Sequence, residues 1–195
     1  RGLSGLEALA GIPGTVGAAA RMNAGAYGST ILEYANSVNG LRGTGDFESV
    51  TDIRPGYRTG GFPDDFIITE LSLNLKPDSS ERIHQLMHQY LERRRSAQPL
   101  SEASAGCTFR NPEDSGAGRL IDRLGLKGFQ IGRAVVSEKH ANFVINRGGA
   151  TASEVTHVIE HVRRSVFNNY GIKLQLEVVI IDENGKPVSL EDLES

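Results

Sequence analysis

The sequence predicts a chain of mixed helices and strands that fold into one good core or two small ones. Three observations support this prediction. The chain has 195 residues, a length that buries roughly 70% of the surface exposed by the unfolded chain. Apolar residues recur with the helical period in two long segments and with the strand period in several shorter ones. Residues 99–118, rich in Ser, Gly, Ala, Pro and acidic side chains, divide these segments into two groups.

The net charge and the cysteine content indicate which partners and which cellular location to expect. The chain has 21 Lys plus Arg against 24 Asp plus Glu, a formal net charge of −3, so we expect neither nucleic acid nor a membrane as a partner. The longest aliphatic run, residues 178–181, is too short to cross a bilayer. Because Cys107 is the single cysteine, no internal disulfide is possible, and a reducing, cytoplasmic location is expected.

The chain begins with a predicted short helix and a glycine-rich segment. Ser4 and Glu7 have the capping-box spacing, and the Gly and Pro residues that follow supply a stop, so we expect a helix over residues 5–10. Residues 14–28 carry mostly hydrogen or methyl side chains, which indicates that another group approaches this backbone closely. Residues 11–17 can cradle a phosphate or form a tightly packed turn, and both interpretations stay open.

Strands and a long helix are predicted next. Residues 31–50 favour two short strands around a Gly-rich turn. Residues 66–76 alternate Leu with polar side chains, as a half-buried strand does. A helix capped by Asp78 and Glu81 follows, and its apolar residues fall on one face.

The second half of the chain predicts two helices and three strands. In order these are a short helix, two strands and a long helix, near residues 119–124, 129–136, 142–146 and 151–170. Thr151 and Glu154 have the capping-box spacing at the start of the long helix, and Gly171 ends it. A last strand over residues 172–181 would place alternate apolar side chains on one face and Glu177 on the other.

Two histidine pairs raise the question of a metal site. His157 and His161 match the His-x-x-Glu-His order of one zinc-peptidase class, and His84 and His88 share the same spacing. Both pairs lie off the apolar stripe of their predicted helix, on its solvent side, where a catalytic cleft is not expected. We therefore predict no metal site.

Four blocks of sequence, in order, resemble UDP-N-acetylenolpyruvoylglucosamine reductases, also called UDP-N-acetylmuramate dehydrogenases. The blocks are Gly11-Ile-Pro-Gly-Thr-Val-Gly-Ala-Ala, Met22-Asn-Ala-Gly-Ala-Tyr-Gly28, Tyr57-Arg58 and Ala105-Gly-Cys-Thr-Phe-Arg-Asn-Pro112. Further likeness over residues 117–128, 136–146 and 176–181 extends the resemblance to nearly the whole chain. The direct run from Phe66 to the helix at Ser79 resembles the shorter of the family's two forms.

The resemblance implies an α+β protein of two parts. Residues 1–96 would be the carboxy-terminal portion of an FAD-binding domain of the vanillyl-alcohol-oxidase type, and residues 97–195 a substrate-binding domain of αββαβ order. It implies a cytoplasmic, monomeric oxidoreductase of peptidoglycan synthesis, and so of cell wall biogenesis, cell shape and cell division. Its FAD would accept hydride from NADPH and reduce UDP-N-acetylglucosamine enolpyruvate to UDP-N-acetylmuramate.

The resemblance also assigns site residues. Arg58, Cys107 and Glu177 would be catalytic, with Cys107 standing where the family usually has a serine that donates a proton. The expected cofactor-binding residues are Gly11, Ile12, Pro13, Gly14, Gly17, Asn23, Ala24 and Gly25. The expected substrate-binding residues are Tyr57, Arg110, Asn111, Lys139 and His140.

An alternative follows from what the sequence lacks. The family carries a further amino-terminal segment with a glycine-rich loop for the flavin phosphates, and nothing here corresponds to it. Arg1 also stands where an initiator Met is expected. The alternative is therefore a non-catalytic UDP-sugar-binding remnant, or a fragment whose flavin site is incomplete.

Overall fold

The structure, a computed structural model, describes residues 1–190 and separates into two compact units. The first unit comprises residues 1–94, and the second begins at Arg95. Each unit contains its own cluster of buried apolar side chains. Helices and strands are mixed in both, so the predicted α+β class is confirmed.

The first unit is built mainly from short antiparallel strands. Its elements are β1 (Leu3–Ser4), a 3₁₀ helix (Glu7–Leu9), α1 (Val16–Arg21), β2 (Gly25–Ala26), β3 (Ser29–Thr30), a second 3₁₀ helix (Ile31–Tyr34), β4 (Ala35–Leu41), β5 (Phe47–Val50), β6 (Ile67–Leu73), β7 (Lys76–Pro77) and α2 (Ser80–Ala97), of which residues 95–97 are assigned to the second unit. Three strands form an antiparallel sheet in the order β5-β4-β6, whereas β1 pairs with β7 and β2 pairs with β3.

The central strand β4 organises the core of this unit. Val38 is fully buried, and it lies opposite Val50 of β5 on one side and Leu71 of β6 on the other. Around it pack Ala20, Ile31, Leu32 and Phe66. Because α1 packs against β6, the glycine-rich segment that leads into α1 is held beside the sheet.

Two predictions for the start of the chain are wrong in detail. The helix expected over residues 5–10 is a single 3₁₀ turn, Glu7–Leu9, and Ser4 does not cap it. Glu7 instead accepts a hydrogen bond from the N–H of Gly5 (2.9 Å), which has a φ of +143° that a helix cannot contain. Residues 31–34, expected in a strand, form a 3₁₀ helix because Thr30 and Glu33 make a capping box.

The later elements of the first unit agree better with the sequence. Strand β6 lies within the half-buried strand predicted over residues 66–76, and α2 follows where a helix was predicted. Its first turn is capped by Ser79, whose Oγ accepts from the N–H of Arg82 (3.2 Å), rather than by Asp78. Asp78 instead accepts from the N–H of Ser79 (2.7 Å), so the predicted capping position is wrong by one residue.

The second unit packs two helices against an antiparallel sheet. Its elements are β8 (Ser104–Cys107), α3 (Ala117–Arg123), β9 (Gln130–Ile131), β10 (Ala134–Val136), β11 (Phe143–Asn146), α4 (Ala152–Tyr170), β12 (Ile180–Ile181) and β13 (Pro187–Val188). The sheet order is β8-β11-β10-β9, and β12 pairs with β13. Side chains from both helices, including Ile121, Val158 and Val162, are buried in one cluster with Ala134 and Val136.

The start and end of α4 confirm the sequence prediction. The Thr151 hydroxyl accepts from the N–H of Glu154 (3.1 Å), and the Glu154 carboxylate accepts from the N–H of Thr151 (2.9 Å). Gly171 ends the helix with a left-handed φ of +70°. The same carboxylate also accepts from the N–H of Arg133 (3.4 Å), so Glu154 joins the start of α4 to the turn between β9 and β10.

The strand predictions of this unit hold only in part. Residues 129–136 form the hairpin β9–β10 around Gly132 rather than one strand. The strand expected over residues 172–181 is reduced to a bridge at Leu176 and to the short β12. Its alternation is nevertheless observed, since Leu174 and the apolar residues in phase with it pack into the core.

We expect Gly132→Ala to destabilise the protein by about 1–2 kcal/mol more than Gly148→Ala. Both glycines have positive φ, so both substitutions strain the backbone. A methyl group at Gly132 would in addition overlap the Glu154 carboxylate, whereas one at Gly148 would meet nothing within 4 Å. Displacing Glu154 removes its capping bonds. Equal losses in urea unfolding would show that the carboxylate moves aside without penalty.

Candidate active site

The glycine-rich segment of the first unit borders an apolar cavity of about 340 Å³. Most of its wall consists of aliphatic side chains from residues 3–31, completed by Ile83 and Met87 of α2. Four of the predicted cofactor-binding residues line it, namely Ile12, Pro13, Gly14 and Ala24. Gly17 borders a second cavity of about 280 Å³, beside Phe66 and Ile68.

The glycines of this segment are needed for two different reasons. Gly14 has a φ of +120°, and a side chain there would meet nothing within 4 Å, so its requirement is conformational. It leads into Thr15, whose hydroxyl accepts from the N–H of Ala18 (3.1 Å) and caps α1. Gly25 is required for space, because a Cβ there would overlap Thr30 and the Ser29 carbonyl oxygen.

One carboxylate lies in the wall of the larger cavity. Glu7 is only 8% exposed and lines the cavity, and its Oε1 is buried with no hydrogen-bond partner within residues 1–190. Burial raises the pKa of Glu7, but hydrogen bonds from Ser4, from its own N–H and from Gly5 outweigh that effect and hold the pKa below its ordinary value. Because Oε1 is itself buried, this oxygen is not exposed to the cavity.

Arg58 lies in a tight turn. The N–H of Gly56 donates to the carbonyl oxygen of Thr59 (2.9 Å), which closes a four-residue turn with Tyr57 and Arg58 at its centre. Arg58 has a left-handed φ of +57°, a backbone conformation that residues other than Gly, Asn and Asp adopt rarely. Its guanidinium carbon lies 5.3 Å from the centroid of the exposed Tyr57 ring.

Asn23 attaches this turn to the glycine-rich segment. Asn23 is buried, and its side-chain amide donates to the carbonyl oxygen of Gly56 (3.2 Å) and accepts from the N–H of Leu32 (3.4 Å). On the other side of the turn, the N–H of Gly60 donates to the carbonyl oxygen of Arg21 (2.8 Å). The structure thus joins the predicted cofactor segment to the turn that carries Arg58.

In the second unit the structure brings the segments of Cys107 and Glu177 together. Cys107 ends β8, where it pairs with Phe143 of β11. The N–H of Glu177 donates to the carbonyl oxygen of Thr108 (2.9 Å), and Phe109 bridges Leu176. Two predicted catalytic residues therefore lie on hydrogen-bonded neighbouring segments, a proximity that sequence spacing could not establish.

Three of the predicted substrate-binding residues of this unit make hydrogen bonds to the backbone of other residues in it. Arg110 donates its N–H to the carbonyl oxygen of Gln175 (2.8 Å). The Oδ1 atom of Asn111 accepts from the N–H of Ala117 (3.0 Å) and so supports the start of α3. The ammonium group of Lys139 donates to the carbonyl oxygen of Arg95. Their substrate contacts stay predictions.

His140 is held in one tautomer. Its ring is half-buried, lies edge-on to Phe143, and its Nδ1 accepts from the N–H of Asn142 (3.2 Å). The remaining proton of the neutral ring is therefore on Nε2. Burial lowers the pKa of His140 below its usual value, which favours the neutral ring at neutral pH.

Sequence reasoning missed two buried polar residues beside Cys107. Thr108 and Asn142 are 3% and 2% exposed. The amide of Asn142 accepts from the N–H of Phe109 (2.9 Å) and donates to its carbonyl oxygen (2.8 Å). In the sequence, Asn142 is simply a polar residue directly before the apolar strand that begins at Phe143. A single polar residue has no periodicity, so the pattern did not identify it.

The described residues contain neither a metal-binding cluster nor a helix suited to cross a membrane. Within residues 1–190, no three His, Cys, Asp or Glu side chains gather as a metal site would require. The ring of His161 stacks on Phe129, with centroids 3.9 Å apart. No helix of the described chain has the length and hydropathy needed to span a bilayer.

Comparison with known proteins shows which proteins the chain resembles. A family model described as UDP-N-acetylenolpyruvoylglucosamine reductase, C-terminal domain, matches residues 98–181. The UDP-N-acetylenolpyruvoylglucosamine reductase of Syntrophobacter fumaroxidans is 42% identical to this chain over 181 residues, which are 92% of the chain. The protein of the same name from Thermotoga maritima is 45% identical over 181 residues. Over nearly its whole length the chain is therefore similar to UDP-N-acetylenolpyruvoylglucosamine reductases, and its second unit matches their C-terminal domain.

A solved structure of one such reductase shows the same similarity. The UDP-N-acetylenolpyruvylglucosamine reductase (MurB) of Thermus caldophilus matches 90% of this chain with a TM-score of 0.80 and 38% sequence identity. The resemblance and the fold expected from the sequence are thereby confirmed. The chain spans 52% of the length of the Syntrophobacter relative and 64% of the Thermotoga relative and of the Thermus structure.

We expect His140→Asn to reduce the loss of stability on acidification. Since burial lowers the pKa of His140 in the folded chain, the unfolded chain binds this proton more readily. The stability due to the neutral ring is then fully present above the unfolded pKa of about 6.5 and is lost as the pH falls below it. Urea unfolding between pH 7.5 and 5 measures the effect, with His84→Asn on the exposed face of α2 as the matched control. A parental pH dependence in the His140 variant would contradict the expectation.

Proposed function

We propose that this chain provides the substrate-binding unit and part of the flavin-binding unit of a cytoplasmic UDP-N-acetylenolpyruvoylglucosamine reductase, acting as a monomer. The reaction is the reduction of UDP-N-acetylglucosamine enolpyruvate to UDP-N-acetylmuramate with NADPH, a step of peptidoglycan precursor synthesis and hence of cell wall biogenesis. The observation that carries the proposal is the hydrogen-bonded pairing of the Cys107 and Glu177 segments, in a chain whose relatives are named for this reduction.

The residues of the first unit fit part of a flavin. The cavity beside Ile12, Pro13 and Gly14 is lined mostly by apolar side chains, as a flat ring system requires. The proposed cofactor contacts also include Gly11, Gly17, Asn23, Ala24 and Gly25. The chemistry that FAD supplies when bound is transfer of hydride from NADPH to the terminal carbon of the enolpyruvyl group.

Arg58 would bind the carboxylate of the substrate. Addition of hydride to a double bond beside a carboxylate leaves an enolate-like dianion, and a fixed guanidinium stabilises that charge. A planar guanidinium can also donate two parallel hydrogen bonds to a carboxylate, which fixes the orientation of the substrate. The closed turn at Gly56 and Thr59 supplies the rigidity that this role needs.

Cys107 would supply the proton. Its thiol transfers a proton to the α-carbon, so that hydride and proton together saturate the double bond, and the resulting thiolate regains a proton from solvent. A thiol with an ordinary pKa of about 8.5 is far more acidic than the alcohol of a serine, so it can serve as the donor while it stays neutral. Tyr57, Arg110, Asn111, Lys139 and His140 would hold the remainder of the substrate.

Glu177 requires a specific protonation state. An ionised carboxylate would repel the enolate-like dianion, whereas a neutral carboxylic acid can donate a hydrogen bond to it. We therefore assign Glu177 as a protonated group if it contacts the intermediate. It is also the next candidate for the proton donor after Cys107.

A second candidate function rests on the match of the second unit to the C-terminal domain of the reductases. This unit would on its own bind a UDP-sugar without reductase activity. Bound flavin distinguishes the two functions, since the reductase requires it and the binding protein does not.

We expect the 195-residue chain alone to bind FAD weakly. Extending it at the amino terminus with the segment of the Thermotoga maritima relative that lies beyond the match should restore tight binding, because that segment supplies the rest of the site. Quenching of flavin fluorescence on titration with protein measures both affinities. A yellow protein with tightly bound FAD from the 195 residues alone would contradict this expectation.

We expect Cys107→Ala to slow the substrate half-reaction of the flavin-loaded, extended protein by roughly 10²- to 10⁴-fold, the usual loss for a general acid. Cys107→Ser should retain some activity and move the decline at high pH upward, because only the neutral donor can act. Stopped-flow flavin reoxidation by substrate measures these rates, and reduction by NADPH serves as the control half-reaction. Parental turnover in the alanine variant would exclude the thiol as donor and leave Glu177.

A further inference from the structure

The chain is irregular directly after Cys107, the last residue of β8. Cys107 packs with Val135, Phe143 and Ile145 on one face of the sheet, whereas Phe109 is buried with Ala134 and Val136 on the opposite face. Residues two apart in a regular strand share a face. The backbone therefore changes face at Thr108. A separate register shift lies on the other side of Cys107, where Ile145 pairs with Ser104.

Asn142 satisfies the backbone at this irregularity. Its side-chain amide accepts from the N–H of Phe109 and donates to the carbonyl oxygen of the same residue, at 2.9 and 2.8 Å. Its own carbonyl oxygen accepts from the N–H of Thr108 (2.8 Å). With 2% of Asn142 exposed, water does not compete for these three bonds.

The same backbone positions Glu177. The carbonyl oxygen of Thr108 accepts from the N–H groups of Glu177 (2.9 Å) and Val178 (3.4 Å). A hydrogen-bonded path thus runs from Asn142 through Thr108 to Glu177, with Cys107 directly before Thr108. An amide side chain suits this position, because it presents one donor and one acceptor in a plane, as a neighbouring strand would.

We propose that Asn142 is a positioning residue that holds Cys107 and Glu177 in one fixed arrangement. The inference rests on the proposed function for the chemical roles of those two residues, but the arrangement itself is measurable without substrate or flavin. The Asn142 side chain acts through the backbone of Phe109, and its main-chain carbonyl oxygen holds the adjacent Thr108.

The single cysteine makes the test specific. In the 195-residue chain, alkylation by iodoacetamide as a function of pH reports on Cys107 alone. We expect Asn142→Ala to raise the high-pH plateau of this profile about tenfold, because the released strand exposes the thiolate. Amide exchange of Phe109 and Glu177 should accelerate by about tenfold or more as their bonds lose support, while amides of α4 keep their parental rates.

Asn146→Ala is the matched control. Asn146 is the last residue of β11, which Asn142 directly precedes, and its Oδ1 accepts from the backbone N–H groups of Gly148 and Ala150. We expect its substitution to leave the plateau within about twofold of the parental value, since these side-chain bonds do not reach the Cys107 segment. Equal changes in the two variants would reduce Asn142 to a general stabilising role and overturn the proposal.

Asn142→Ser keeps the test decisive if the alanine variant does not fold. A hydroxyl is too short to bond both Phe109 atoms, so the plateau and the two amide exchange rates should again rise. Parental alkylation and exchange in a folded Asn142→Ser protein would overturn the proposal. The reductase proposal fails on different evidence, the absence of flavin-dependent turnover, so the two failures are distinguishable.

Discussion

Buried backbone groups need hydrogen-bond partners, and the second unit depends on how that need is met where the chain changes face after β8. Unpaired buried N–H and C=O groups destabilise a fold strongly. At Thr108 and Phe109 the regular ladder fails, and Asn142 together with the segment 175–178 supplies the missing bonds. Cys107 and Glu177, the two residues of this unit proposed for catalysis, lie on segments bonded to the backbone of Thr108 and Phe109 or adjacent to it. The bonds that satisfy this backbone therefore also position the side chains proposed for the chemistry.

The first unit solves a similar problem with a similar side chain. The turn that carries Arg58 has no strand beside it, and the buried amide of Asn23 ties it to the glycine-rich segment. An asparagine amide can join two backbone segments because it both donates and accepts. In each unit, then, a buried asparagine fixes a segment that bears a proposed catalytic side chain. Neither asparagine needs to contact a substrate in order to position that side chain.

The sequence predicted best what depends on local interactions. The ends of α4 follow from Thr151, Glu154 and Gly171, which act within one turn. The last strand was overpredicted, because alternation reports burial and not pairing, and residues 172–181 find a partner only near Phe109 and in β13. Of the site, Cys107 and Glu177 came from family resemblance, while Asn142 escaped notice because its bonds span 33 positions in the chain and leave no periodic trace.

The left-handed backbone at Arg58 has a consequence for how this protein can change. A glycine at that position would relieve a conformational strain of about 1 kcal/mol, so stability alone favours its replacement. Function, as proposed, requires the guanidinium and therefore retains the strain. Laboratory evolution for heat resistance would tend to replace Arg58, whereas selection for activity would retain it. Position 58 thus marks where stability and catalysis oppose each other in this chain.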